Sequence, residues 1–114
     1  MRLRPLHDTW DLALSDRQFE FEWDENKAAA NIQKHGVSFE LASSVFADPR
    51  LLSVADLEHS EAEERWLSVG SAVNGAILSV VYVWQELNQG YTRIRLISAR
   101  QATRNEARFY EENL

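Results

Sequence analysis

Five arginines and one acid fall within residues 91–108: Arg93, Arg95, Arg100, Arg104 and Arg108 against Glu106. A guanidinium grips phosphate or carboxylate with two parallel N–H donors, so this density points to bound anions, either phosphates or acids on a partner. Ten of the 12 basic residues in the chain are Arg, which favours oriented pairing over diffuse attraction. Arg100, Arg104 and Arg108 recur at every fourth position and so are expected to stack along one face of a final helix. Like charges at that spacing cost about 0.2–0.5 kcal/mol per pair, which an anion would offset. For Arg104 and Arg108 the competing expectation is a solvated face paired with Glu111 and Glu112. Arg95 and Arg100 are expected at a strand end and a helix start, where several elements converge.

His35 follows Lys34 at an expected helix C-terminus, where the helix dipole favours a cation. An imidazole there serves as a general acid, as a phosphate contact, or merely as a cap. Lys27 and Lys34 share a helix face with Asn31, by default a charged and solvated one. Glu106 is expected near the apolar side of the last helix, as an ion-paired carboxylate more readily than as a general base. Tyr91 and Tyr110 are candidates for stacking at a basic surface. His7 and His59 stand in uninformative segments, and the acidic stretch at 56–64 lacks the ligand and glycine pattern of a calcium loop. No glycine-rich phosphate loop, nucleophile elbow or dinucleotide fingerprint is present. What remains for an enzyme is arginine-assisted phosphodiester chemistry without a metal or other cofactor. In it an RNA 2′-hydroxyl attacks its own phosphate while fixed cations stabilise the developing charge.

These groups need elements to hold them. Phe19 to Trp23 alternates aromatic and acidic residues, as a half-buried strand does. Asp24 is placed to cap a helix that ends at Gly36, and Ser38 to cap a second helix that stops at Asp48-Pro49. Leu51 to Val54 is expected as a strand, 56–64 as a loop or single helical turn, and Arg65 to Val73 as a strand with Leu67, Val69 and Val73 inward. Asn74-Gly75 predicts a type I′ hairpin turn. Ala76 to Trp84 reads as a central strand, Asn88-Gln89-Gly90 as a turn, and Tyr91 to Ser98 as a strand. Ser98 and Gln101 are then expected to cap the last helix. The order β-α-α-β-β-β-β-α predicts an α+β fold with a mainly antiparallel sheet, two helices before it and one after.

The chain has 114 residues and 45 % hydrophobic composition, enough for one domain with its own core. Residues 1–18 read as an arm and 19–114 as the domain. With no Cys, disulfides, thiolate zinc sites and a cysteine nucleophile are excluded, as suits a reducing cytoplasm. No signal peptide is expected, because residues 1–18 hold no apolar run of about 7–15 residues, and no membrane span, because the uncharged stretch from Trp66 to Gln85 carries six Ser, Asn or Gly residues. The formal net charge of −6 argues against a whole-surface nucleic-acid binder.

Phe21-Glu22-Trp23-Asp24, Lys27, Asn31, Lys34-His35-Gly36-Val37-Ser38-Phe39, Phe46, Asp48-Pro49, His59-Ser60, Glu63-Glu64-Arg65, Arg95-Leu96-Ile97-Ser98-Ala99-Arg100, Ala102, Glu106 and Tyr110 occur in that order. Together they closely resemble the BrnT toxin family, the ribonuclease half of a type II toxin–antitoxin pair, over about residues 19–112. The resemblance implies a RelE-like fold and RNA cleavage that halts translation. It also implies neutralisation by a BrnA-type antitoxin and repression of the shared operon by the complex, with the antitoxin supplying the DNA contact. Carried over by position, His35, Arg65, Arg95, Arg100 and Glu106 are the expected catalytic set. Arg95 and Arg100 would hold the phosphate, and His35 or Glu106 would handle a proton. Lys27, Lys34, Arg93, Arg104 and Tyr110 are the expected RNA contacts. The competing function is a non-catalytic interaction module whose arginines meet acids of a protein partner.

Overall fold

The computed structural model describes residues 18–56, 64–88 and 90–113. The expected arm lies outside them except for Gln18, and so does most of the expected loop at 56–64. Five strands form one sheet in the order β1-β5-β4-β3-β2. They are β1 (Gln18–Glu22), β2 (Leu52–Ala55), β3 (Arg65–Ser71), β4 (Ile77–Asn88) and β5 (Tyr91–Gln101). All pairs are antiparallel except β1 with β5, which is parallel. Three helices accompany the sheet: α1 (Glu25–His35), α2 (Phe39–Ser43), continued by a 3₁₀ turn (Ser44–Ala47), and α3 (Arg104–Glu112). The α+β architecture is the expected one, with two helices before the main strands and one after.

Local chemistry sets the helix ends as the sequence predicts. Asp24 accepts the Lys27 N–H to cap α1, Gly36 closes it at φ 70°, and Ser38 accepts the Leu41 N–H to cap α2. One face of the sheet packs against α1, α2 and the 3₁₀ turn. Its core includes Phe39, Val45, Phe46, Leu78, Val80, Tyr82, Trp84, Ile94 and Leu96. Phe46 meets Tyr82 edge-on at 4.8 Å between centroids, and Phe19 meets Trp84 at 6.0 Å.

Four local expectations are corrected. In β3 it is Trp66, Ser68 and Gly70 that share the helix-side face with Tyr82, Val80 and Leu78 across the ladder; of the three residues expected inward only Val69 is buried, on the opposite face, and Val73 sits in the turn, 84 % exposed. The β3–β4 turn is not type I′, since Asn74 keeps a negative φ and only Gly75 is positive at 89°. Gly75 N–H donates to Ala72 O and Ala72 N–H to Ala76 O, giving a three-residue loop with glycine in its left-handed position. The last helix starts later than Ser98 and Gln101 suggest. β5 stays paired to β4 as far as Gln101, and Thr103 with Glu106 forms the capping box instead. Arg100 is therefore a strand residue, and the helical arginine stripe shrinks to Arg104 and Arg108. Asn31 is buried, not solvated.

Gly70 is needed for close approach. A Cβ built there would lie 2.5 Å from Leu51 Cδ1 and 3.3 Å from Asp48 Oδ2. Leu51 is itself only 2 % exposed and has little room to yield. Gly70→Ala is expected to cost about 1–3 kcal/mol, read as a lower urea midpoint at unchanged slope.

Candidate functional site

The sheet face opposite α1 and α2 gathers the arginines. Register partners point to the same side, so Arg95, Val83 and Arg65 form one row across β5, β4 and β3. Ser98, Val81 and Leu67 form the next row, and Arg100, Ser79 and Val69 the one after. Arg95 and Arg100 are five residues apart, and simple alternation would put them on opposite faces. They share a face because the register shifts between Val81 and Tyr82: Val81 pairs with Ser98 and Tyr82 with Leu96. Ile97 is the extra residue of this β-bulge, a device that re-aims side chains. Arg65, Arg95 and Arg100 are all half-buried.

Arg100 is held from the far end by α3. Its Nη1 donates to Glu106 Oε1 at 2.7 Å and its Nη2 to Glu106 Oε2 at 3.0 Å. Glu106 Oε1 also accepts from Ser79 Oγ at 2.8 Å and from the Thr103 N–H at 2.8 Å. The Arg100 hydrogen bond, helped by those from Thr103 and Ser79, holds the Glu106 carboxyl down at about 2 against the opposing effect of burial. The same hydrogen bond raises Arg100 above its ordinary value. A carboxylate this well supplied with donors is a poor proton acceptor, which favours the ion-pair reading of Glu106.

The depressed Glu106 value carries a pH signature. Its stabilising contribution is complete above the ordinary value of 4.5 and is lost as pH falls through about 2. Because the pair is partly exposed, with side-chain exposures of 38 % and 22 %, the contribution is about 1–2 kcal/mol. The stability gap between the native chain and Glu106→Gln is expected to be constant from pH 7 to 5 and to narrow at pH 3 and below. Urea unfolding at each pH measures it.

The other expected residues are distributed elsewhere. Arg93 shares the face of Arg95 but is tied to Glu20 at 3.2 Å and Glu22 at 3.6 Å. α1 runs along the edge of β5, where Asn31 Nδ2 donates to Ala99 O at 2.8 Å and Asn31 Oδ1 accepts the Ala99 N–H at 3.1 Å. Lys27 and His35 lie one turn before and after Asn31 and so line that same edge. His35 thus approaches the end of β5 from the helix side, and Arg100 from the opposite face. No side-chain bond joins them among the described residues. Lys34, Arg104 and Arg108 are exposed, and Arg104 and Arg108 form no pair with Glu111 or Glu112. Tyr110 is 6 % exposed, and its hydroxyl donates to Asp48 Oδ2 at 2.6 Å. Burial, then the Asp48 bond, pushes the phenol up to about 12. A buried ring offers no face for a base to stack on, so Tyr110 acts here as the anchor of α3 on Asp48. That carboxylate also caps the Ser71 N–H at 2.8 Å.

Sequence reasoning missed Ser79, and it misread Asn31. The signal for Ser79 was faint, one hydroxyl in an otherwise apolar strand. For Asn31 it was a small polar residue in mid-helix, where that type is uncommon unless it bonds something. Among the described residues no group of three or more His, Asp or Glu is arranged to hold a metal ion, and no helix is long and apolar enough to cross a membrane.

The sequence matches a family described as the ribonuclease toxin BrnT of a type II toxin–antitoxin system, over residues 23–106. Among solved structures the chain is similar to the Brucella abortus ribonuclease toxin BrnT, determined at 1.1 Å, with 23 % identity and a TM-score of 0.47. That likeness covers 76 % of this chain and 100 % of the Brucella chain. No curated protein matches the sequence.

Proposed function

This chain belongs to the BrnT family of ribonuclease toxins of type II toxin–antitoxin systems, and on that premise we propose that it cleaves RNA at the end of β5, around Arg100. The observation that carries this reading is the bulge at Ile97, which turns Arg95 and Arg100 to one side together with Arg65. In the proposed reaction the RNA 2′-oxygen bonds to the adjacent phosphorus and the bond from phosphorus to the 5′-oxygen breaks. The products are a 2′,3′-cyclic phosphate and a 5′-hydroxyl. Arg95 and Arg100 stabilise the charge gathering on the phosphoryl oxygens, and Arg65 adds a third cation in the row of Arg95. The 2′-hydroxyl loses a proton and the departing 5′-oxygen gains one. Of the two residues considered for this work, His35 is the better fit, since Glu106 is committed to Arg100 and to two further donors. Lys27 and Lys34 on α1 and Arg104 on α3 flank the site as RNA contacts.

The biological setting follows from the family reading and is proposed with it. A BrnA-type antitoxin neutralises the chain, the complex represses its own operon through the antitoxin's DNA contact, and cytoplasmic RNA cleavage, on or off the ribosome, stops translation. The test is purified chain with free RNA at low salt in the presence of EDTA and, in a separate arm, with intact ribosomes in magnesium buffer. Cleavage giving 2′,3′-cyclic phosphate ends, blocked by a single 2′-deoxy substitution at the cut site, is the expected result. No cleavage under any of these conditions overturns the proposal in favour of a non-catalytic module that meets an acidic protein partner.

A further inference from the structure

We propose that Ser79 is a positioning residue: through Glu106 it fixes the Arg100 guanidinium so that its Nε–Nη2 edge is presented to an RNA phosphate. This rests on the cleavage reading above and deepens it.

A guanidinium has five N–H donors in a rigid plane. In Arg100 both Nη1 hydrogens are used, by Glu106 Oε1 at 2.7 Å and by Gln101 O at 3.3 Å. One Nη2 hydrogen goes to Glu106 Oε2 at 3.0 Å. Among the described contacts that leaves Nε–H and the second Nη2 hydrogen, which lie side by side on one edge. Their spacing suits two oxygens of a single phosphate. Arginine alone does not choose which edge it shows. Here the choice is made by Glu106, which occupies the end-on pair of donors, and Glu106 in turn needs a fixed rotamer.

Ser79 supplies that constraint. It is 2 % exposed and stands directly opposite Arg100 in the β4–β5 ladder, so the two Cβ atoms are about 4.5–5.5 Å apart. Its neighbours on β4 are Ile77, Leu78, Val80 and Val81. A β-branched apolar residue would suit a buried mid-strand position better, and a buried hydroxyl is tolerable only when bonded. The bond it makes is the one to Glu106 Oε1 at 2.8 Å. With Thr103 N–H on the same oxygen, Ser79 and the α3 cap hold the carboxylate from two elements.

Ser79→Ala removes this donor and leaves no unsatisfied group in its place. The expected result is a fall in kcat of about tenfold with KM within about twofold, as for a misaligned catalytic group. The Glu106 carboxyl, followed by carbon NMR on the folded protein, is expected to titrate at higher pH than in the native chain. Val69→Ala loosens the same row without touching these hydrogen bonds and is expected to keep native kcat. Native kcat in Ser79→Ala, an equal loss in Val69→Ala, or an unmoved Glu106 titration each overturns the proposal. A native chain that cuts no RNA would sink the cleavage reading, and the Glu106 titration would still decide whether Ser79 holds that carboxylate.

Discussion

Arg100→Lys is expected to lower the rate of RNA cleavage about 100–1000-fold while the protein stays folded. An ammonium keeps the charge and one contact to Glu106, so the loss reads the value of the planar fork rather than of the charge. Removing one pre-aimed donor from the developing oxyanion ordinarily costs this much in turnover. Most of the loss is expected in kcat, because charge on the phosphoryl oxygens is greatest in the transition state. The informative control is Arg93→Ala. Arg93 carries the same charge on the same face, but two carboxylates 45–48 % exposed already neutralise it, and such surface pairs are worth little. Its removal is expected to change turnover by no more than a few-fold. Single-turnover cleavage on both variants, with urea unfolding to show that they are folded, makes the comparison. A folded Arg100→Lys chain within a few-fold of native activity would remove Arg100 from the site.

The placement of Arg93 also qualifies the net charge of −6. Part of the acid excess is spent next to the site, with Glu20 and Glu22 holding Arg93, and Glu22 facing Arg95 across the β1–β5 ladder. Charges are screened over roughly 8 Å at physiological salt, so a short row of arginines keeps its local character inside an acidic protein. On the proposed cleavage reading, substrate capture is then expected to depend on contact geometry more than on long-range attraction, and high salt to weaken it less than it would a broadly basic RNA binder.

What could be read in the sequence was whatever neighbouring residues decide among themselves. Asp24, Gly36 and Ser38 cap helices through bonds to residues three or four away, and those contacts can be inferred from a short window. The features that assemble the site are not of that kind. The bulge at Ile97 exists because β5 must stay in register with β4 on both sides of it, and nothing in Arg95-Leu96-Ile97-Ser98-Ala99-Arg100 announces the slip. Ser98 and Gln101 suit a helix cap on local grounds, but pairing with Leu78 and Ser79 keeps this segment in the sheet as far as Gln101. Strand pairing overrode the local preference, and that moved Arg100 from a helix face onto the sheet. The partner of Glu106 was foreseen only as some arginine; the third partner, Ser79, lies 27 residues away.

The largest effect on stability is expected at Asn31. β1 pairs with β5 only as far as Glu22 opposite Arg95. Beyond that point the Asn31 amide stands in for a strand, accepting the Ala99 N–H at 3.1 Å and donating to Ala99 O at 2.8 Å and Val37 O at 2.9 Å. At 6 % exposure, water cannot readily replace it. Asn31→Ala is expected to cost about 3–4 kcal/mol, three hydrogen bonds at about 1 kcal/mol or slightly more each. Against a total of about 5–15 kcal/mol this is a large share. Asn31→Asp separates geometry from bonding, since it has the same shape and reverses one end. Its second oxygen would face two carbonyl oxygens, so burial and repulsion would raise the new carboxyl above its unfolded value. Below the unfolded value the acid is protonated in both states and can donate one bond; the relative stability of the variant is then at its best, and it falls as pH rises through the folded value. The deficit of Asn31→Asp is therefore expected to grow from pH 4 to pH 7, opposite in sign to the trend set by Glu106. Since Ala99 adjoins Arg100, the same loss would free the end of β5 that carries the site, and cleavage would fail before global unfolding is complete. Urea unfolding at the two pH values measures the first effect; both variants within about 1 kcal/mol of native would show that the edge of β5 needs no clasp.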